Sequence, residues 1–363
     1  MKKRVKSLLT ATLIILVLTS VYACLPRVWY KQSRYGKPLS TAGTLSAATQ
    51  NQLSLYIQDT AQNAQAVVAI QKERIILEVG DTRRLINCHS ARKSIMDLLI
   101  GIAVEKGMLR LDQTLGELGI DESKTPLTHQ EKTATVRDLL MAKSGVYLPA
   151  EAETDFAKAN RPKRDQYKPG EFFFYNNFDF NVLGAILEKK TGQTIGGFMD
   201  KYLAQPLGLQ DFAPSNVVYG NPWPIRNDQS DYRVYWIFLS ARDMARIGAM
   251  VSQKGVWMGK PIVSASWIEE SFQPYTQTLD KSMWPFDAYG YLWWIDKDTQ
   301  TYWADGFGGQ FLLVDPTRGL AIAQRNFTGN SLLSSGLFLM KKRRDGSRRQ
   351  LIHVYEMIKQ QLD

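Results

Sequence analysis

The sequence is poor in the two side chains that most often bind metals or form covalent links. Its 363 residues include two cysteines, Cys24 and Cys88, and three histidines, His89, His129 and His353. Two cysteines exclude a disulfide scaffold and a cysteine-rich zinc module, and three scattered histidines offer little for a metal site. We therefore expect no metal and no organic cofactor. With 44% hydrophobic and 22% charged residues, the chain is too apolar to be disordered and is predicted to be globular.

Acidic residues are absent from the first 58 positions, which contain eight basic residues. A second basic segment, residues 341–349, contains six basic residues and one acid. The net charge of the chain is +10, so removing the first segment leaves +2 and removing the second leaves −3. The rest of the chain is therefore close to neutral, and this charge gives no support to nucleic-acid binding. Residues 341–349 are predicted to form a solvated loop, and contact with anionic lipid is a hypothesis for them.

A long apolar run occurs at the amino terminus. Residues 7–23 carry no charge and follow a basic start, a pattern typical of an export signal. The run also approaches the minimum length for a membrane-spanning helix, about 18 residues. The residues before Cys24 resemble a bacterial lipoprotein cleavage box, so lipidation of Cys24 and a retained anchor both stay open. We predict a signal peptide or anchor over 1–24, a tether over 25–44 and a main domain in the bacterial cell envelope.

From residue 45 to residue 363 the pattern is that of one compact domain. Strand patterns occur near both ends, at 66–79 and 289–324, and helical patterns dominate the residues from about 110 to 240. Further helices are predicted at 45–63, 90–107, 241–254, 264–272 and 350–361. The predicted fold class is α/β or α+β, with an antiparallel sheet built from both chain ends, flanking helices and an inserted, mainly helical subdomain.

Ser90 and Lys93 lie at the start of one predicted helix. Positions i and i+3 share a helix face, so the hydroxyl and the amine can meet. Burial and the positive end of the helix both favour a neutral amine, which can accept the serine proton. The backbone N–H of Ser90 can then bind an oxyanion. Taken alone, this spacing is weak, because a helix-capping serine followed by a surface lysine is the commoner explanation.

Two later segments strengthen the pair. Tyr175-Asn176-Asn177 lies about 85 residues after Ser90, and Gly306-Phe-Gly-Gly-Gln310 lies between two predicted strands. Ser-x-x-Lys, Tyr-x-Asn and a glycine-rich strand edge in this order resemble the serine β-lactamase and penicillin-binding protein superfamily. The resemblance is closest to its class C-like branch, which includes esterases, D-aminopeptidases, DD-peptidases and 6-aminohexanoate-dimer hydrolases. It extends over about residues 45–330, because five framework segments also resemble that branch: 94–107, 135–145, 181–192, 240–248 and 289–294.

The resemblance implies a role for each of these residues. Ser90 would be the acylated nucleophile and Lys93 its general base. Tyr175, its hydroxyl kept acidic by the nearby amine, would share the proton transfer and protonate the leaving group. Asn177 would hydrogen-bond to Lys93 or to the carbonyl side of the substrate. The backbone N–H groups of Ser90 and Phe307 would form the oxyanion hole, and the glycines around Phe307 would let the backbone approach the substrate.

The last strand by the site departs from the superfamily pattern. β-Lactamases and DD-peptidases carry Lys-Thr-Gly there, and many esterases of the branch carry His-x-Gly, where this chain has Ala304-Asp305-Gly306. A cation that would bind a substrate carboxylate is missing, and Asp305 would repel one. Penicillin hydrolysis is therefore not expected. Asp305 favours an amine-bearing or neutral substrate. Alternatively, Asp305 is a solvated turn residue without a role in binding. Gly306 and Gly308 are expected to border the substrate.

Several other side chains are candidates for the site. His89 is adjacent to Ser90, but neighbouring side chains of a helix point about 100° apart and no Gly-x-Ser-x-Gly elbow surrounds the serine. His89 is therefore predicted to pack rather than to act as the base, and Cys88 is predicted to be structural. Trp223 and Trp236 are candidates to line an apolar acyl pocket. Further candidates for that pocket are Trp293, Trp294, Tyr302 and Trp303.

The sequence thus predicts a membrane-tethered serine hydrolase that acts on a small ester or amide through an acyl-enzyme. Two alternatives stay open: a penicillin-recognising DD-peptidase or β-lactamase, and a non-catalytic envelope scaffold of the same fold. The joint presence of Ser90, Lys93, Tyr175 and Asn177 argues against a scaffold, because a retired site has no physical need to keep all four. The sequence does not indicate an oligomeric state.

Overall fold

The structure is a computed structural model. It describes residues 15–17, 19–24, 35–41, 43–59, 64–220, 230–277, 284–329, 331–340 and 346–363. Trp223 lies outside the described residues, as do residues 1–14, 18 and 25–34 of the predicted amino-terminal signal and tether.

Twelve strands form three sheets in the described ranges. The strands are β1 (Ala66–Gln71), β2 (Arg74–Gly80), β3 (Ile86–Asn87), β4 (Val217–Tyr219), β5 (Tyr235–Leu239), β6 (Val256–Trp257), β7 (Lys260–Pro261), β8 (Ala288–Tyr289), β9 (Trp294–Asp296), β10 (Thr301–Gly306), β11 (Gln310–Asp315) and β12 (Leu320–Arg325). The largest sheet has the order β2-β1-β12-β11-β10-β9-β8, and its pairs are antiparallel. Because β1 pairs with β2 on one side and with β12 on the other, the sheet joins the two ends of the domain, which confirms the predicted fold class.

Helices cover the sheet and fill the middle of the chain. They are α1 (Ala47–Gln58), α2 (Arg92–Glu105), α3 (Val136–Leu140), α4 (Asp155–Ala159), α5 (Asn177–Thr191), α6 (Ile195–Met199), α7 (Gln205–Leu207), α8 (Ala241–Ser252), α9 (Ala265–Ser271), α10 (Leu332–Met340) and α11 (Gly346–Leu362). A 3₁₀ turn at His89–Ala91 leads directly into α2. The small sheet β3-β5-β4 fixes the residues just before that turn, because Ile86 and Asn87 pair with Leu239 and Phe238.

The central strands β11 and β12 are buried along their whole length. Successive side chains of a strand point to opposite faces, and here both faces are covered. On one face α8 approaches so closely that a Cβ on Gly248 would lie 2.5 Å from Leu312. On the other face Tyr355 of α11 donates a hydrogen bond of 3.0 Å to Asp315. The core therefore lies on both sides of the sheet, and this explains why these strands are apolar without alternation.

The predicted single strand from Tyr289 to Ile295 is wrong. The segment forms two short strands, β8 and β9, joined by a turn in which Leu292 has a φ of 60°. The turn is fixed from outside, because the Leu292 N–H donates to the Leu140 carbonyl and the Leu292 carbonyl accepts from the Ser94 hydroxyl. Such distant contacts leave no periodic trace in the local sequence.

Two further segments differ from what the sequence predicts. Within the mainly helical middle of the chain, Val217–Tyr219 form β4, which pairs with β5 and is too short to show a strand period. Residues 341–345 of the predicted basic loop lie outside the described residues, and the loop prediction is wrong for the end of that segment, because α11 begins at Gly346 and the Arg348 side chain folds back onto the sheet.

At the amino terminus, residues 15–17 and 19–24 are helical, and Cys24 is an exposed free thiol. Among the helices that the structure describes, none combines the length and the apolar character needed to cross a bilayer.

Candidate active site

Ser90 lies in a tightly held turn between β3 and α2. The Cys88 N–H donates to the Ile237 carbonyl at 2.8 Å, and the His89 N–H donates to Asn87 Oδ1 at 2.8 Å. His89 has a φ of 47°, in the left-handed region that is uncommon for residues other than glycine. A residue is kept in this conformation only where its surroundings impose it. The turn therefore fixes the direction in which the partly exposed Ser90 leaves the backbone.

Lys93 lies one helical turn after Ser90, as the spacing predicts. Its Nζ donates hydrogen bonds to Ser90 Oγ at 3.0 Å and to Tyr175 OH at 2.8 Å. The side chain is buried, and only 2% of Lys93 is exposed. The predicted serine, lysine and tyrosine therefore meet at one amine, in a geometry that allows proton exchange between each oxygen and the nitrogen.

The electrostatic surroundings favour a neutral Lys93. Burial lowers its pKa well below the ordinary value, and the neighbouring Arg92 guanidinium lowers it further. Asp305 acts in the opposite direction as a smaller contribution. Arg92 is itself buried, its guanidinium lies over the rings of Tyr235 and Trp236 at 4.9 and 4.8 Å, and it donates to the His89 carbonyl. A neutral amine is the form that a general base needs.

The expected acidity of Tyr175 is not found. Burial raises the pKa of its hydroxyl above the ordinary value, although a hydrogen bond with Ser90 and the charge of Arg92 lower it in part. The physical reason is that burial penalises the charged phenolate more strongly than the neighbouring groups stabilise it. Tyr175 is therefore a protonated phenol at neutral pH, which is the form that can donate a proton.

Asn177 is the first residue of α5 and is buried close to the site. The hydrogen bond that the structure gives its amide is donated to the Ala152 carbonyl at 2.5 Å rather than to Lys93. This contact ties the loop before α4 to the start of α5. The predicted hydrogen bond to Lys93 is thus replaced by a contact with the loop, and the predicted contact with a substrate stays a prediction.

The end of β10 approaches the Ser90 turn very closely. A Cβ on Gly306 would lie 2.3 Å from the Cys88 carbonyl oxygen and 3.1 Å from the Ala91 nitrogen, so no other residue fits there. Phe307 and Gly308 follow directly, with the Phe307 side chain exposed and the Gly308 φ at 76°. This proximity suits backbone N–H groups of Ser90 and Phe307 that converge on one oxygen, and the oxyanion hole stays a prediction at these residues.

Asp305 is paired with a basic residue from the far end of the chain. Arg348 of α11 donates to Asp305 Oδ2, and its guanidinium lies 4.7 Å from the centre of the Phe286 ring. The alternative of a solvated turn residue at Asp305 is therefore wrong. Arg348 follows Asp305 by 43 positions, so the local sequence does not indicate this ion pair. A cation is present beside this strand edge, although it comes from a helix instead of from the strand.

His89 packs as the sequence predicts. Its Nε2 shares a hydrogen bond of 2.9 Å with the Thr328 hydroxyl, and its ring meets the rings of Phe307 and Trp236 edge-on. Burial lowers the His89 pKa to about 3, with Arg325, Arg92 and Lys93 adding to the effect. The imidazole is consequently neutral. Cys88 is fully buried beside Arg325, which agrees with its predicted structural place.

Some of the aromatic residues predicted to line an acyl pocket belong to the core, and others contact Tyr175 or His89. Trp293 and Trp303 are 1% exposed and belong to the core, and Tyr302 stacks on Phe272. Trp294 is also buried, but its ring stacks on Tyr175 at 5.3 Å. Trp236 is half-buried against His89 and donates its indole N–H to the Gly220 carbonyl.

Sequence reasoning missed part of the site. The sequence does not indicate a role for Arg92, because the local pattern does not show that this middle residue of Ser-x-x-Lys is buried. Phe156 and Trp284 were also missed, and they border a cavity beside Tyr175. The run of three phenylalanines from Phe172 to Phe174 was a usable signal, since it directly precedes Tyr175.

The described residues contain one candidate group of metal ligands, the carboxylates of Asp287, Asp296 and Asp298. Two of these already hold the β9–β10 turn, because Asp287 accepts from the Lys297 N–H and Asp296 accepts from the Thr299 N–H. These three carboxylates are far from Ser90 in the sequence, and we propose no metal site for them.

Comparison with known proteins assigns the chain to a family. The beta-lactamase family model matches residues 66–324. A curated relative, protein flp of Staphylococcus aureus strain MW2, is 26% identical over 133 residues, which are 33% of this chain and 26% of that protein. The chain thus spans about a quarter of the length of the curated relative that it matches.

Solved structures show the same fold at low identity. A candidate 6-aminohexanoate-dimer hydrolase from Bacillus anthracis superimposes with a TM-score of 0.60 at 16% identity, covering 88% of this chain and 91% of that one. A family VIII carboxylesterase superimposes with a TM-score of 0.58 at 15% identity, covering 86% and 99%. The family match and the fold support a serine hydrolase in general, as the sequence predicts. The chain belongs to the beta-lactamase family.

Proposed function

We propose that this protein hydrolyses a small ester or amide through an acyl-enzyme on Ser90. The observation that carries the proposal is the position of Lys93 Nζ, 3.0 Å from Ser90 Oγ and 2.8 Å from Tyr175 OH. A buried amine whose pKa is lowered can take a proton from serine, and a phenol whose pKa is raised can supply one.

The proposed reaction proceeds in two half-reactions. Ser90 Oγ attacks the substrate carbonyl carbon while its proton moves to Lys93, and the oxyanion is held by the N–H groups of Ser90 and Phe307. Each such donor contributes about 3 to 4 kcal/mol in comparable acyl-transfer sites. Tyr175 protonates the leaving atom and recovers a proton from Lys93. Water then attacks the acyl carbonyl, its proton follows the reverse path, and Ser90 is released with the carboxylic acid product.

The charges at the strand edge favour an uncharged or amine-bearing substrate. Ala304 stands where relatives with Lys-Thr-Gly carry the carboxylate-binding lysine, and the pairing of the next residue, Asp305, with Arg348 leaves this edge close to neutral. An anionic substrate would have to compete with Asp305 for Arg348, whereas a neutral substrate disturbs no ion pair.

A fluorophosphonate probe tests the proposal directly. We expect intact-mass analysis to show one adduct on the wild-type protein, none on Ser90→Ala, and labelling at least about 100-fold slower for Lys93→Ala, because a general base typically contributes 10² to 10⁴ in rate. Turnover of a short-chain p-nitrophenyl ester should fall in parallel. Ser266→Ala and Lys106→Ala, which change exposed residues, are matched controls. Adduct formation on another residue would refute the assignment, and no adduct on the wild type would favour the scaffold.

The β-lactam-recognising alternative has one observation in its favour, the Arg348 guanidinium beside β10. Stable labelling by a fluorescent penicillin, or rapid nitrocefin hydrolysis, would select this alternative over an esterase or amidase. Its loss in Arg348→Gln, with fluorophosphonate labelling retained, would show that Arg348 takes the place of the missing strand cation.

We also propose that residues 1–24 direct the protein to the bacterial cell envelope and tether it there. The support comes from the basic start, the uncharged run and the small residue before Cys24 in the sequence. The exposure of Cys24 is compatible with lipidation.

A further inference from the structure

An aromatic cavity of about 240 Å³ lies beside Tyr175. Its walls include Phe156, Phe173 and Trp284 together with Tyr175 itself, and none of the described residues that line it carries a charge. The Trp284 ring is centred 5.6 Å from Tyr175, 6.2 Å from Phe156 and 6.3 Å from Phe173. Such a cavity favours the transfer of an apolar group from water and penalises a charged one.

Tyr175 connects the cavity to the proposed chemistry. Its ring forms part of the wall, while its hydroxyl accepts the hydrogen bond from Lys93. The Gly306–Phe307 edge does not line the cavity and instead contacts Cys88 and His89, which precede Ser90. A substrate bound at Ser90 therefore meets the cavity only through the group that lies next to Tyr175.

We propose that this cavity binds the leaving group of the substrate, and that this group is an uncharged alkyl or aryl alcohol or amine. The inference rests on the proposed function, because there Tyr175 protonates the leaving atom and must therefore lie next to it. The volume supports a single group rather than a whole ligand, since pockets that enclose drug-sized ligands measure about 300 to 1,000 Å³.

Two ester series test the assignment by separating the leaving group from the acyl group. Propyl and hexyl acetate share an acyl group and have alcohols of similar acidity, so acetate release compares leaving groups that differ in size alone. We expect kcat/KM for hexyl acetate to exceed that for propyl acetate by about tenfold, because each buried methylene contributes about 0.8 kcal/mol and burial of three is incomplete. Across p-nitrophenyl acetate, butyrate and hexanoate, kcat/KM should change less than about threefold.

A charged substitution in the wall provides the matched comparison. Phe156 is 49% exposed, so the head of an arginine placed there can reach solvent while its stem occupies the cavity. We expect Phe156→Arg to reduce the hexyl-to-propyl ratio to near one. Leu55→Arg changes an exposed residue of α1 and should leave the ratio unchanged. A ratio near one in the wild type, an undiminished ratio in Phe156→Arg, or a steeper dependence on the acyl chain would overturn the inference.

A binding measurement separates this inference from the proposed function. Saturation-transfer NMR with 1-hexanol on the Ser90→Ala protein reports occupation of the cavity without turnover. One outcome is that hexanol binds to Ser90→Ala, that this binding is lost in Ser90→Ala/Phe156→Arg, and that Ser90→Ala keeps full esterase activity. This outcome would support the cavity as an apolar binding site and reject the acyl-enzyme on Ser90. Ser90-dependent turnover without hexanol binding would reject the leaving-group pocket and retain the acyl-enzyme.

Discussion

Arg92 is a buried cation next to the amine that must lose its charge. Only 1% of the residue is exposed, and among the described residues no carboxylate is paired with it. The aromatic faces of Tyr235 and Trp236 stabilise the guanidinium instead. The local charge that lowers the Lys93 pKa is thus provided within the Ser-x-x-Lys segment itself.

We expect Arg92→Leu to move the acidic limb of the pH profile upward. Removing a neighbouring positive charge raises the Lys93 pKa, so the neutral amine appears only at higher pH. For charges several ångströms apart in a protein the change is about one pH unit. The measurement is kcat/KM for a p-nitrophenyl ester from pH 5 to 9. His89 does not contribute to this limb, because its pKa of about 3 keeps it neutral throughout.

Two variants complete the pH experiment. Arg92→Lys keeps a positive charge and should retain most of the wild-type profile. Arg83→Leu removes an exposed charge and should leave the profile unchanged. An acidic limb at the same pH in Arg92→Leu and the wild type would show that burial alone sets the protonation state of Lys93.

At the scale of elements, the contact between β10 and the Ser90 turn depends on the missing side chain of Gly306. In Gly306→Ala the new Cβ would meet the backbone carbonyl of Cys88, which cannot rotate away. We expect β10 to move from the turn and kcat to fall by about 100-fold or more, as when an oxyanion donor is lost. Steady-state kinetics and thermal unfolding report the two effects separately.

Gly43→Ala is the control for this substitution, because a Cβ there has open space. It should leave kcat and the melting temperature unchanged. If Gly306→Ala keeps wild-type kcat, the β10 edge does not form part of the catalytic geometry.

The sequence predicted the elements that depend on local pattern and missed those that depend on distant partners. Ser90 and Lys93 meet because one turn of helix brings them together, and this spacing is visible in four residues. The superfamily resemblance added Tyr175. The pairing of Asp305 with Arg348 and the packing of Trp284 on Tyr175 join residues 43 and 109 positions apart, so no local signal could reveal them. The Tyr175 hydroxyl was misjudged because its pKa is dominated by burial.

At the scale of the whole molecule, one β-lactamase-family domain follows an amino-terminal segment that we expect to tether it. Fractionation of the producing cells should place the full chain with the membranes. Incorporation of labelled palmitate that is lost in Cys24→Ser and retained in Cys88→Ala would identify lipidation, since Cys88 is buried. Membrane retention of Cys24→Ser without the label would identify an uncleaved anchor. Recovery of the full chain in the soluble fraction would contradict the tether.

The strand order of the large sheet places β12 between β1 and β11. During synthesis, Ser90, Lys93 and Tyr175 leave the ribosome well before the residues of β10, β11 and β12. Until residue 325 has emerged, β1 has no partner on one side, and nothing brings Gly306 and Phe307 against the Ser90 turn. On the proposed mechanism, the growing chain would therefore carry Ser90 without the strand edge that is expected to bind the oxyanion. We expect hydrolytic activity to appear only when the whole domain, including β10 to β12, is present.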